Sequence, residues 1–98
     1  GLLKFEAARV NNTNGSIAVN SQTSTWLSPS SCSGTGNCTY TMSGFTSTPF
    51  CLCNAAAAAA ISCDAVPSSS TSLSITTWGT SGTLSNENGT TVFCFGSK

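Results

Sequence analysis

The sequence contains no histidine, three basic residues, three acidic residues and a single methionine. The missing imidazole removes the side chain that most often serves as a general base near neutral pH. It also removes the usual activator of a serine or cysteine nucleophile. The acids, Glu6, Asp64 and Glu87, lie on separate segments. Their spacing gives no support to a two-carboxylate hydrolase. The cations Lys4, Arg9 and Lys98 form no basic patch, so nucleic acid is not an expected partner. No apolar run is long enough to cross a bilayer as a helix, and no membrane insertion is expected. No cofactor is indicated. At 98 residues the chain is one domain, too small to bury a large core without disulfides, a metal or partner subunits.

Serine and threonine make up about a third of the chain, well above ordinary usage. Val, Ile, Thr, Phe and Trp recur throughout, which separates the chain from disordered sequences of high net charge. Six cysteines in so short a chain point to an oxidising compartment: extracellular, at the cell surface, or periplasmic before deployment. No leader segment is recognisable and the chain begins at Gly1. We read Gly1 as a cut, with residues 1–98 as the final domain of a longer protein.

The dominant hydrophobic period is two. Cys38, Tyr40 and Met42 share one face of GNCTYTM, and Leu73 and Ile75 share one face of TSLSITTW. In TTVFCF, Phe93 and Phe95 lie opposite Val92 and Cys94; in PFCLC, Phe50 and Leu52 lie opposite Cys51 and Cys53. LLKFEAARV and ISCDAV also read as extended, with shorter candidates at 17–19 and 24–27. Turn-forming clusters at 11–15, 28–37, 43–49, 67–70 and 79–89 separate these runs. The pattern predicts an all-β, antiparallel sandwich or barrel. The alanine run at 55–60 is too short for an independent helix and reads as a loop or a small-residue strand end.

Three uses of the cysteines are open. A zinc cluster of Cys51, Cys53, Cys63 and Cys94 departs from the usual knuckle spacing and lacks histidine. A reactive thiol lacks electropositive neighbours. Disulfides fit best. Cys32 and Cys38 bracket the short glycine-rich loop SGTGN. Cys51 and Cys53 share a strand face, so each reaches a neighbouring strand more readily than the other. Of the three connectivities left, Cys53–Cys63 with Cys51–Cys94 is favoured.

Trp26 and Tyr40 read as core aromatics. Trp78 ends a strand before a loop rich in Gly, Ser and Asn, where an aromatic could stack on a sugar ring. Asn86, Glu87 and Asn88 could bind its hydroxyls, against the simpler reading of a hairpin turn. Asn14 shares that turn reading, and Asp64 reads as an edge-strand charge that discourages aggregation. The N-x-S/T triplets at Asn11, Asn14, Asn37 and Asn88 would carry glycans only in a host that makes them.

The ordered elements R-V-N-N-T, S-Q-x-S-x-W-L, G-N-x-T-Y-T-M-S-G-F-T-S-T-P, C-L-C, C-D-A-V, S-S-S-T-S-L-S-I-T-T and V-F-C-F-G span nearly the whole chain. Together they resemble the C-terminal tip domains of phage tail-fibre-like trimeric adhesins, of the kind found in the mosaic adhesive trimer fibre proteins of Bdellovibrio-type predatory bacteria. The resemblance implies a jelly-roll or tumour-necrosis-factor-like sandwich head, assembled as a homotrimer. It also implies a function in binding a glycan or other envelope component of a target cell. The runner-up is a fibre end cap that trimerises without a ligand of its own. The resemblance transfers no catalytic or binding residue.

Overall fold

The computed structural model describes residues 2–55 and 62–98. Most of the alanine run, residues 56–60, lies outside the described residues. Eight strands form in chain order: β1 (Leu3–Asn12), β2 (Ala18–Gln22), β3 (Leu27–Gly34), β4 (Asn37–Met42), β5 (Phe50–Asn54), β6 (Ser62–Pro67), β7 (Ser72–Trp78) and β8 (Glu87–Ser97). There is no helix among the described residues. The strands make two antiparallel sheets. Sheet A has the order β2-β1-β8-β5, and sheet B the order β3-β4-β7-β6. The all-β sandwich expected from the alternation is therefore what the chain forms.

Consecutive strands β1/β2, β3/β4 and β6/β7 are hairpin neighbours within one sheet. Turn chemistry explains the hairpins. Gly15 takes φ +87° in the β1–β2 turn, and Gly36 takes φ +64° in the two-residue β3–β4 turn. Gly36 has a second reason to be glycine. A Cβ there would stand 2.3 Å from the Ser85 carbonyl oxygen and 2.9 Å from that of Thr77.

Two expectations fail locally. Residues 28–37 were expected to be a turn cluster, yet Leu27–Gly34 is strand β3. It is an edge strand with a register slip just after Pro29, and a proline that cannot donate to the ladder is tolerated at such a place. The 24–27 strand candidate is instead mostly a corner. There the Gln22 side-chain oxygen accepts hydrogen bonds from the backbone N–H groups of Trp26 (3.2 Å) and Leu27 (2.9 Å).

The core lies between the sheets. Val10, Val92 and Cys94 of sheet A face Cys38, Tyr40, Leu73 and Ile75 of sheet B, all fully buried. Trp26 closes one flank, edge-on to Phe45 at 6.2 Å between ring centroids, and its indole N–H donates to the Ala7 carbonyl at 3.1 Å. A buried polar cluster ties the sheets together. Asn12 of β1 donates from Nδ2 to the carbonyls of Gly36 (3.1 Å) and Ile75 (3.0 Å), and accepts from the Tyr40 hydroxyl at 2.9 Å. Burial pushes the Tyr40 hydroxyl pKa well above the ordinary tyrosine value.

Disulfides reinforce this small core. Cys32–Cys38 joins facing positions of β3 and β4, and Cys51–Cys94 joins facing positions of β5 and β8. Cys53–Cys63 crosses from β5 to β6 and so ties the edge of sheet A to the edge of sheet B. No cysteine is left free as a thiolate ligand or nucleophile.

Candidate recognition surface

The cross-strand registers lay out the outer face of sheet A in rows. Phe5 of β1 faces Phe95 of β8, which faces Phe50 of β5. The next row is Ala7, Phe93 and Leu52, and the row after that is Arg9, Thr91 and Asn54, with Ser21 of β2 beside Arg9. Leu3 lies at the opposite end. The alternation in PFCLC and TTVFCF puts the cysteines and Val92 inside and the aromatics outside. Phe50 is 68% exposed, Leu52 and Leu3 66%, Phe5 57% and Phe93 36%. The rings pack on one another rather than on the core: Phe50 and Phe95 stack at 5.4 Å between centroids, Phe5 and Phe95 at 6.0 Å. An uncovered apolar surface of this kind marks an interaction site more often than a chance exposure does.

The outer face of sheet B is different. Thr41, Thr39, Ser72, Ser74, Thr76 and Asp64 occupy its rows, with Val66 the main apolar exception. Trp78 ends this face. It is half-buried, pairs with Ser62 and makes a bridge to Leu84 in the following loop.

The other sequence-derived candidates lie elsewhere. Asn86 accepts through Oδ1 from the backbone N–H groups of Gly36 (2.8 Å) and Asn14 (3.0 Å), holding two turns together. Glu87 opens β8 and is 2% exposed. Asn88 accepts from the Thr13 hydroxyl at 2.7 Å. Asn86, Glu87 and Asn88 thus cluster with the β1–β2 turn, whereas Trp78 belongs to the outer face of sheet B. Trp26 and Tyr40 are core residues, as expected of large aromatics.

Two charged features complete the surface. Glu6 sits under the 23–24 corner, where it accepts from the hydroxyls of Thr23 (2.6 Å) and Ser24 (2.5 Å) and pairs with Lys4 at 3.2 Å. Burial alone would raise its pKa; the hydrogen bonds from Ser24, Thr23 and Lys4, with the Lys4 charge, outweigh that and hold it below the ordinary glutamate value. Arg9 lies on the opposite, outer side of β1, exposed, beside a concavity of about 290 Å³.

The aromatic rows were legible as a face but not as an exposed one. A Cys51–Cys94 bond requires both cysteines on one face, but it does not by itself say whether that face or the one carrying Phe50, Phe93 and Phe95 turns inward. No group of three or more histidine, cysteine or acidic side chains among the described residues is arranged to hold a metal ion. Among the described residues no helix is long and apolar enough to cross a membrane. Compared with protein-family models, curated proteins and solved structures, the chain matches none.

Proposed function

We propose that this chain is a non-enzymatic recognition module, the adhesive head of an extracellular fibre, which assembles as a homotrimer and binds a glycan or other envelope component of a target cell. The uncovered aromatic face of sheet A carries the proposal. Its side chains leave on the order of 500 Å² of hydrocarbon in water, at the upper end of what a monomer tolerates. A second and third copy of the chain are the occupants that fit best. The aromatic rows hold no charged residue and the chain has no net charge, so copies meet without repulsion. Three copies would also give a weak glycan contact avidity. Three disulfides suit the oxidising surroundings of such a head. The hydroxyl-rich face of sheet B, ending in Trp78, is a surface suited to sugars.

A structural end cap is the second reading. The commitment of Asn86 to the turns and the burial of Glu87 favour it, because they withdraw part of the loop expected to bind. The mass of the native particle, measured by light scattering after size-exclusion chromatography, tests assembly. Three 9.9 kDa chains are expected; a stable monomer would remove the trimeric head. A glycan screen with a Trp78→Ala control then separates adhesin from end cap.

A further inference from the structure

The chain holds two Asn-Gly pairs, Asn14–Gly15 and Asn88–Gly89. Such a pair can modify itself. The glycine amide nitrogen gives up its proton and attacks the asparagine side-chain carbonyl carbon. The new C–N bond closes a five-membered succinimide, and the side-chain nitrogen takes up a proton and leaves as ammonia. Water then opens the ring at either carbonyl, giving aspartate or isoaspartate. Glycine favours the attack because no Cβ crowds the nitrogen and the backbone turns freely. Ring closure rotates the Asn-Gly peptide about ψ, so whatever fixes that peptide slows the reaction.

The fold separates the two pairs. Asn14 and Gly15 are the exposed central residues of the β1–β2 turn, which is closed by a hydrogen bond from the Ser16 N–H to the Thr13 carbonyl at 3.0 Å. That bond does not use the Gly15 N–H. A Cβ placed on Gly15 would meet nothing within 4 Å, so that side of the turn is open. Asn88 and Gly89 instead lie inside β8. Asn88 faces Asn11 of β1, and its Oδ1 accepts from the Thr13 hydroxyl at 2.7 Å. Gly89 is half-buried, the extra residue of a bulge between the Val10–Thr90 and Asn11–Asn88 pairs. Rotating its peptide would break into the β1–β8 ladder, which runs the length of both strands. Rotating the Asn14–Gly15 peptide disturbs one turn.

We propose that Asn14 is a site of spontaneous, irreversible modification in the native protein, and that its strand protects Asn88. The change has a structural target. The Asn14 N–H donates to Asn86 Oδ1 at 3.0 Å, and the same oxygen accepts from the Gly36 N–H at 2.8 Å. Asn86 thereby joins the β1–β2 turn of sheet A to the β3–β4 turn of sheet B. Isoaspartate routes the main chain through its own side chain, which lengthens the turn, opens the Thr13–Ser16 closure and loosens this clamp. Either product also places a new carboxylate on a chain of zero formal net charge. The proposal is independent of the recognition reading.

Incubation of the native protein at mildly alkaline pH, followed by reduction, proteolysis and fragmentation mass spectrometry, tests the proposal. Cleavage after Arg9, Trp26, Trp78 and Phe93 puts the two pairs on separate peptides, 10–26 and 79–93. Asn14 should convert to isoaspartate and aspartate at least about tenfold faster than Asn88, a barrier difference of about 1.4 kcal/mol. In the reduced, urea-unfolded chain both pairs should convert at similar rates, which isolates the effect of the fold. An acidic form should accumulate on anion exchange in step with Asn14 conversion. Asn14→Gln should suppress it, because glutamine has to close a larger ring. The comparison of native with unfolded wild type holds even if that variant fails to fold. In the aged fraction the Gly36 and Asn86 amide resonances should shift. Asn88 converting as fast as Asn14 in the native protein, or Asn14 staying intact while the unfolded chain converts, would overturn the site. Unchanged Gly36 and Asn86 resonances in the modified protein would overturn its coupling to the β3–β4 turn.

Discussion

The two outer faces of the sandwich are built on the same alternation and finished for different surroundings. Sheet B turns threonine and serine to water around Thr39, Thr41, Ser72, Ser74 and Thr76. Sheet A turns out Phe5, Phe50, Phe93 and Phe95 with Leu3 and Leu52. Hydroxyl side chains favour extended backbone and remain hydrated, so sheet B needs no cover. The aromatics of sheet A are left uncovered by packing within the single chain, so in the proposed assembly this is the face that another copy covers. The exposed aromatic side chains, Phe5, Phe50 and Phe93, therefore concentrate on one sheet.

The comparison can be broken most directly through assembly. For the proposed trimer, Phe5→Ser with Phe95→Ser should reduce the particle from three chains to one by light scattering. Thr39→Val on sheet B should leave the mass unchanged. Loss of trimer in both variants, or in neither, would end the distinction between the faces.

The disulfides extend the contrast to stability. Cys51–Cys94 in sheet A closes 43 residues, and Cys32–Cys38 in sheet B closes 6. Chain-entropy arguments then assign about 4 kcal/mol to the first and about 2 kcal/mol to the second. Paired Cys→Ser variants compared by denaturant unfolding check the order; equal losses would contradict it.

Between the sheets, Tyr40→Phe leaves the buried Asn12 oxygen without its donor and should cost about 1–3 kcal/mol. Chemical denaturation reads this directly, and an unchanged midpoint would mean the cluster contributes no net stability.

The Glu6 contribution is smaller and depends on pH. Its folded pKa lies below the ordinary glutamate value, so the native state favours the ionised form. The stabilisation is therefore complete above the unfolded carboxyl pKa and is lost as pH falls through the lowered folded one. Wild type should exceed Glu6→Gln in stability at pH 7, and the gap should close as the pH falls below about 4. A gap constant from pH 7 to pH 3 would contradict the linkage.

The smallest effect is expected at Thr90, whose hydroxyl is buried without a hydrogen-bond partner. Thr90→Val replaces it with a methyl of similar size and should be neutral or stabilising by up to about 1 kcal/mol. Destabilisation in a thermal melt would indicate that the hydroxyl has a role.

Much of the architecture was legible in the residues. Cys38/Tyr40/Met42 and Leu73/Ile75 announced buried strand faces, and both sets are fully or almost fully buried. The three cysteine pairs are those that loop length and strand face favoured. Strand β3 was hidden because Ser28, Pro29, Ser30 and Ser31 carry turn chemistry, and only the pairing with β4 and the Cys32–Cys38 bond hold them extended. The Asn86 role was hidden because its two donors, Gly36 and Asn14, come from distant turns.

The sequence by itself determined the all-β class, most strand positions and which side chains share a face, because strand geometry has a period of two that any residue string displays. It did not determine which of two apolar faces turns inward. In β8 the larger hydrophobes Phe93 and Phe95 take the outer face, Phe93 exposed and Phe95 half-buried under its aromatic neighbours, while Val92 and Cys94 fill the core. Only the tertiary structure decided that, through Cys51–Cys94 and the stacking of sheet A on sheet B. It likewise decided the two bulges that follow Arg9, since a bulge exists only where two strands are counted against each other.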